Sequence, residues 1–451
     1  MCAKSAGTVP EAARTVATSA QFVSWRKAYP LKSVFILMLF AANLAIAGAH
    51  AEEIQTTPVF RPIPGIVVPM GGAVRADNDE VRQRLVDLAG GKGARFVVIP
   101  TASGNPVKTG ESAAHELRRR GAQVELLRIA PQWPGENIES ARRAAADPDN
   151  VARIRAATGV FFTGGAQARY ADVLNPGGVP SPVLQAVRDL QARGGVIAGT
   201  SAGAAIMSRD MFRDAPSSLR VLHGLLREGQ EIERGLGFVG DELFVDQHFL
   251  KRGRIGRMLS AMLAKGYKIG LGVDENTAAV IRGSEIDIVG ASGALLIDLR
   301  DATVEPGPVN VRNVRISYLD NGDHYDLAKA RASVFPGKRA AGELKFGQPG
   351  FVPDFENPRR SFADMLGENV VQRALSQLVD GPHDQVTGFA FDLVPASGDP
   401  TPDLGFEFVL RRDGRTRAWD NAGIDGKDYS VFDAQLDVRP IRMAAPLFKP
   451  W

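Results

Sequence analysis

Gly199-Thr200-Ser201-Ala202-Gly203 follows a short apolar run, Gly195-Val196-Ile197-Ala198, and precedes a helix-compatible segment. A serine in the tight turn between strand and helix is a nucleophile elbow. The backbone there is strained, the neighbours must be small because the two elements converge, and the hydroxyl stands clear at the carboxyl end of the sheet. The amide of Ala202, at the helix start, is placed to donate to a developing oxyanion. A glycine-rich turn with an incidental serine has the same local pattern, so the rest of the chain must decide.

Three further stretches supply partners. Thr163-Gly164-Gly165-Ala166-Gln167 ends another apolar run. Its two glycines let the backbone approach a bound group and offer a second oxyanion donor, with Gln167 pointing into the same crevice. Asp246-Gln247-His248 supplies a base, chosen by elimination. His115 precedes the serine on an exposed helix, and His223, His324 and His383 lie in polar surroundings without a carboxylate-bearing strand end behind them. Asp274-Glu275-Asn276 follows the apolar run 267–273, and either acid is placed to orient an imidazole. Adjacent residues on an extended chain point to opposite sides, so only one should face the site. The order serine, histidine, acid differs from that of the α/β-hydrolases, where the acid lies between the other two.

Beyond His248, Ile255, Met258, Leu259, Met262 and Leu263 recur at helical spacing, which predicts a helix from about Gly253. Arg252, Arg254 and Arg257 then crowd its first turn, where positive charge opposes the helix dipole. An anionic ligand removes the conflict: guanidinium forks beside free amides form a carboxylate site.

These groups need a scaffold of a definite kind. From Pro64 to about Ser333, apolar runs (65–69, 95–100, 124–127, 159–163, 195–198) alternate with helical stretches (111–120, 138–157, 181–193), the pattern of an α/β domain with a mostly parallel sheet flanked by helices. Its ligand crevice lies at the carboxyl ends of the strands. Residues 334–451 read as a β-rich C-terminal appendage, with a helix over 361–378 and a hairpin turning at Asp413-Gly414.

At the amino end, Arg26, Lys27 and Lys32 precede an apolar run from Val34 to Ala47, and Ala49-His50-Ala51 fits a cleavage site, so residues 1–51 read as an export signal. The catalytic domain would then be 52–333 and the appendage 334–451. The net charge of +3 belongs to the signal, since cleavage removes five Lys/Arg and one Glu. Nothing in this balance points to a nucleic-acid partner, and no membrane association is expected after cleavage. The one cysteine is Cys2, so the mature chain has no thiol nucleophile or thiolate metal site; no HExxH or clustered His/Asp pattern is present, and neither a metal nor a cofactor is expected.

Phe161-Phe162-Thr163-Gly164-Gly165-Ala166-Gln167, Gly199-Thr200-Ser201-Ala202-Gly203-Ala204, Asp246-Gln247-His248-Phe249 with Arg252-Gly253-Arg254-Ile255-Gly256-Arg257, and Gly272-Val273-Asp274-Glu275-Asn276-Thr277-Ala278 together closely resemble the cyanophycinases, serine exopeptidases related to aspartyl dipeptidase. The likeness covers roughly residues 62–331. It implies a class I glutamine amidotransferase-like α/β fold, with Ser201 as nucleophile, His248 as base and Glu275 as acid. Gly164, Gly165 and Ala202 would form the oxyanion hole, and Gln167, Asp246, Gln247, Arg252, Arg254 and Arg257 would line the pocket. One departure is Ala166, where relatives often carry an acid. The implied reaction is hydrolysis of cyanophycin, a polyaspartate with arginine on each side-chain carboxyl, to β-aspartyl-arginine. The three arginines would meet its carboxylates and Asp246 its guanidinium groups. A homodimer is compatible with the sequence but not required by it. Two alternatives are kept: an exported peptidase for aspartyl or isoaspartyl dipeptides, and a non-catalytic binding protein that retains the pocket.

Overall fold

The computed structural model describes residues 60–214, 217–395, 397–420 and 429–444. All lie in one unit, Val59–Trp451, and the export signal expected over 1–51 falls outside the described residues.

From the amino end, β1 (Ile63–Met70) leads through α1 (Asp79–Leu88) to β2 (Arg95–Ile99), and α2 (Pro106–Arg118) leads to β3 (Gln123–Leu126). Helices α3 (Ile138–Ala144) and α4 (Pro148–Ala156) precede β4 (Gly159–Phe162), and α5 (Ala168–Leu174) and α6 (Pro182–Ala192) precede β5 (Val196–Thr200). The helical stretch expected over 138–157 folds as two helices. Asp147, with extended backbone, caps the second by accepting from Asp149 N, and Pro148 takes its first position.

After the short α7 (Ala202–Ala205), β6 (Asp210–Phe212) and β7 (Ile232–Arg234) pair around α8 (Ser218–Leu222). A second sheet begins with β8 (Leu243–Asp246), α9 (Ile255–Lys265) and β9 (Ile269–Val273). β10 (Thr277–Gly283) and β11 (Glu285–Gly290) return to the first sheet, β12 (Ala294–Asp298), β13 (Thr303–Val304) and β14 (Val311–Leu319) extend the second, and β15 (His324–Asp326) and β16 (Arg331–Ser333) form an edge of the first. The C-terminal region contributes α10 (Pro336–Ala341), β17 (Ser361–Phe362), α11 (Val370–Val379), β18 (Gln385–Ala390), β19 (Leu404–Arg411), β20 (Arg417–Asp420) and β21 (Tyr429–Arg442).

The fold is therefore α/β. The nine-stranded first sheet runs β16-β15-β11-β10-β1-β5-β4-β2-β3, parallel from β1 to β3, and helices pack on it. The second runs β17-β18-β19-β21-β14-β12-β9-β8, so the β-rich C-terminal strands continue the ladder begun by β8 and β9. Two local expectations fail here. β19 and β20 do not pair as a hairpin; both pair with the fourteen-residue β21, end to end along the side opposite β14, so the long partner overrides the Asp413-Gly414 turn. The helix expected from 361 starts only at Val370, because Asn369 is left-handed at φ 56° and Ser361–Phe362 pairs with β18.

Three buried apolar clusters hold this together. One lies under α1 and α2 around Leu85, Val98 and Leu117; a second, around Phe162, Tyr170 and Val187, lies under α3 to α6; the third joins Met258, Leu259 and Met262 of α9 to Val371, Leu375 and Leu378 of α11. No helix of the described residues is long and apolar enough to cross a membrane.

Candidate active site

Both sheets deliver strand ends to one point. β5 is flanked by β1 and β4, all parallel, so the loops at Gly71-Gly72, Gly164-Gly165 and Ser201 leave from the same edge. β8 and β9, parallel in the second sheet, end just before His248 and Glu275. Backbone bonds join the two edges: His248 N donates to Gly71 O at 2.8 Å, Asn276 N to Gly72 O at 2.8 Å, and Gly71 N to Thr277 O at 3.0 Å.

Ser201 sits at φ 53°, ψ −113°, a conformation costing about 1–3 kcal/mol that only surrounding structure can enforce. Its amide donates to Met70 O at 3.0 Å, and its carbonyl accepts from Ala204 and Ala205. Small neighbours are required for concrete reasons. A Cβ on Gly199 would stand 2.3 Å from Gly203 O, and one on Gly203 would stand 2.3 Å from Phe162 O.

The Ser201 hydroxyl lies 2.8 Å from His248 Nε2, and His248 Nδ1 lies 2.5 Å from Glu275 Oε1. With Nδ1–H donating to the carboxylate, Nε2 is left to accept the serine proton. Of the two adjacent acids it is thus Glu275 that faces the histidine. Asp274 is buried and turned away, accepting from Lys251 N at 3.0 Å and from the Ser292 hydroxyl at 3.2 Å. Burial holds the His248 imidazole below its ordinary 6.5 against the pull of Glu275, and Arg252 and Arg254 add to the depression. The arrangement can therefore take a proton from Ser201 near neutrality.

Gly164 lies against the serine: a Cβ there would be 3.2 Å from Ser201 Cβ. Ala202 N–H, in the first turn of α7, has no intrahelical acceptor. Gln167, expected to point into the crevice, instead turns its amide to Phe212 O at 2.8 Å.

The arginines differ from one another. Asp246 is 1 % exposed, and Arg257 grips it through Nε at 2.7 Å and Nη2 at 2.5 Å, with Arg254 Nη1 at 3.3 Å. The carboxylate expected to meet a substrate guanidinium is thus already occupied. Burial alone would raise its pKa, but Arg257 and Arg254 hold it below the ordinary value. Arg257 also stacks over Phe212, 4.4 Å from the ring centre, and Arg254 donates to Gln247 O at 2.6 Å. Burial and then Arg257 push Arg254 down to about 9. Arg252 is exposed and has no ion pair among the described residues. Arg257→Leu would leave Asp246 with the long Arg254 contact and the Gln247 amide at 2.9 Å, and breaking a buried ion pair this way is expected to cost about 3–5 kcal/mol, read as a fall in the urea midpoint.

A cavity of about 470 Å³ opens on Ser201 and His248. Thr163, Gly164 and Arg252 line its polar side, while Met70, Val74, Leu85, Ala113, Leu117 and Phe161 form an apolar wall. Thr163 Oγ1, on this cavity, and Gln247 Oε1, next to His248 in the chain, are buried side-chain oxygens with no hydrogen-bond partner among the described residues. A larger open cleft of about 750 Å³, lined by Phe346, Asp384 and Arg412 among others, holds none of these catalytic-type side chains. No group of three or more metal-ligating side chains occurs among the described residues.

Sequence reasoning misses Gly72. It sits at φ 107°, and a Cβ there would stand 2.3 Å from His248 Cε1 and 2.5 Å from Nε2, so the glycine is what admits the ring. A signal exists, since Gly71-Gly72 ends a strand just as Gly164-Gly165 does. Thr163 stands within the Thr163–Gln167 stretch without a role of its own, and Phe212 is missed because nothing local marks it.

Ser201, His248 and Glu275 lie within hydrogen-bonding reach of one another on an α/β scaffold, an arrangement able to carry out hydrolysis, and comparison gives the class. Residues 67–289 match the model of peptidase family S51. The cyanophycinase of Trichormus variabilis is 33 % identical over 273 residues, covering 58 % of this chain and 85 % of that one. The cyanophycinase of Geminocystis herdmanii is 30 % identical over 271 residues, covering 58 % and 93 %. That of Synechococcus elongatus is 31 % identical over 288 residues, covering 60 % and 82 %. The crystal structure of a peptidase from an acI-B1 Actinobacterium aligns with a TM-score of 0.40 and 22 % identity over 51 % of this chain and 90 % of that one. The chain is a peptidase. It belongs to peptidase family S51, with cyanophycinases among its relatives.

Proposed function

We propose that the protein is a serine exopeptidase that hydrolyses cyanophycin to β-aspartyl-arginine dipeptides after export through residues 1–51. The observation that carries this reading is the continuous chain Ser201 Oγ, His248 Nε2, His248 Nδ1, Glu275 Oε1, at 2.8 Å and 2.5 Å, on a strained elbow beside an arginine cluster. Ser201 Oγ attacks the scissile carbonyl as its proton passes to His248 Nε2, and Glu275 stabilises the imidazolium. The amides of Gly164, Gly165 and Ala202 receive the oxyanion. Collapse breaks the C–N bond, His248 returns the proton to the leaving amine, and a water activated by the same imidazole resolves the acyl-serine. Arg252, free of ion pairs among the described residues and at the cavity, takes a substrate carboxylate. Arg254 and Arg257, held by Asp246, keep the wall positive, and Gln167 and Gln247 supply polar contacts. The chemistry lies within 52–333, with 334–451 in support.

Mass identification of products tests the reading: release of β-aspartyl-arginine from purified cyanophycin is expected, and its absence rejects the polymer. The apolar wall of the cavity favours one second reading, an aspartyl or isoaspartyl dipeptidase accepting apolar residues, for which turnover of β-Asp-Leu with no attack on polymer is the signature.

The pH profile follows from the same groups. Protonated His248 cannot accept the serine proton, so kcat/KM should rise with pH through a value below 6.5 and be flat at neutrality. Above about 9, loss of charge at Arg254 should raise KM while kcat holds. An acid limb centred above 6.5 would contradict the depressed imidazole.

A further inference from the structure

The loop that carries Arg252 and Arg254 is held from a part of the chain outside the residues 67–289 matched by the family model. Asn369 N donates to Leu250 O at 2.9 Å, and Glu368 pairs with Lys251 Nζ. Gly253, at φ 53°, runs flush against the Leu366 carbonyl: a Cβ there would lie 1.7 Å from that oxygen. The Leu366 side chain packs on Gly256, in the first turn of α9, where a Cβ would be 3.2 Å away. Behind this contact Met365, Val370 and Val371 share one core with Ile255, Met258 and Leu259. On its other side the loop is tied by Lys251 N to Asp274 Oδ1 at 3.0 Å and by the Ser218 hydroxyl to Gly253 O at 3.0 Å. His248 shares one bond with the loop, Arg252 N donating to its carbonyl at 3.1 Å, but its amide and ring have anchors of their own in Gly71 O, Ser201 and Glu275.

We propose that segment 364–370 is a positioning element for the arginine loop, so that the C-terminal region sets substrate affinity without taking part in bond cleavage. This rests on the reading that Arg252 meets a substrate carboxylate and that Arg254, held by Asp246, keeps the wall beside it positive. A loop already held in its binding geometry loses little freedom when ligand arrives, and a loosened one must be ordered at the expense of affinity. The Lys251–Glu368 pair is exposed at both ends and contributes little alone, so the backbone bond and the Leu366 packing carry the effect. Because the three triad side chains have their own anchors, the consequence falls on binding and not on turnover.

The test is the double variant Leu366→Ala/Glu368→Gln in the full chain. KM for cyanophycin, and the Kd of β-aspartyl-arginine by calorimetry, should rise about tenfold while kcat stays within about twofold. Labelling of Ser201 by diisopropyl fluorophosphate, a small neutral probe that needs no arginine, should keep its wild-type rate. The conservative Leu366→Met variant, with Glu368 kept, should bind like wild type. An unchanged KM and Kd in a folded double variant overturns the proposal, as does a parallel loss of kcat and labelling, which marks general loosening. If wild type neither labels nor turns over, it is the catalytic reading that fails; the two Kd values still decide the brace, and equal values end it.

Discussion

Ser201→Ala should lower kcat by about 10⁵-fold or more and abolish fluorophosphonate labelling, with the urea midpoint nearly unchanged. The Ser201 side chain makes one polar contact, to His248, and is only half-buried, so its loss leaves no buried group unpaired. Alanine inherits the same φ of 53° and the same backbone bonds to Met70, Ala204 and Ala205, so the elbow keeps its strain and its shape. The amides of Gly164, Gly165 and Ala202, proposed to receive the oxyanion, are untouched by the change, so the residual activity expected is slow hydrolysis by positioned water. Activity within about tenfold of wild type would mean that the attacking group lies elsewhere and that the elbow is structural.

How far the sequence leads to this result depends on the range of the signal. The elbow is legible because its requirements are local: an apolar strand, glycines at 199 and 203, and a helix start, which the contacts to Gly203 O and Phe162 O explain atom by atom. His248 can be reached by elimination because so few histidines follow the serine. The acid cannot be chosen from periodicity, since Asp274 and Glu275 are neighbours and the difference lies in what each finds: Asp274 meets Lys251 N and Ser292, Glu275 meets the imidazole. The arginines illustrate a different limit. Their crowding near a helix start does signal a conflict needing an anion, but the first anion to resolve it is Asp246 of the chain itself, and only Arg252 remains exposed. In the C-terminal region Asp413-Gly414 carries a strong local turn signal. It loses to β21, whose partners sit far away in sequence.

Gly72→Ala should lower kcat by about 10³-fold while the protein still folds, an effect out of proportion to one methyl group. A Cβ at this position has no room: His248 Cε1 and Nε2 would be 2.3 and 2.5 Å away. Either the ring swings off Ser201 Oγ, or the end of β1 retreats and strains the bonds from His248 N to Gly71 O and from Asn276 N to Gly72 O. Both routes move the base, and displacements of about 1 Å at a reacting pair cost two orders of magnitude or more. The positive φ adds a stability cost that must be separated from the kinetic one. Gly90 provides the control, since it has a similar φ of 111° and a methyl added there would meet no atom nearer than 3.9 Å. Gly90→Ala should therefore show the stability cost of the positive φ alone and keep its kcat. In Gly72→Ala, Ser201 labelling should fall in step with kcat, because the hydroxyl loses its base. If the two variants retain equal activity, the imidazole is not seated against β1, and the joining of the two sheets at this point is not what holds the catalytic groups in reach.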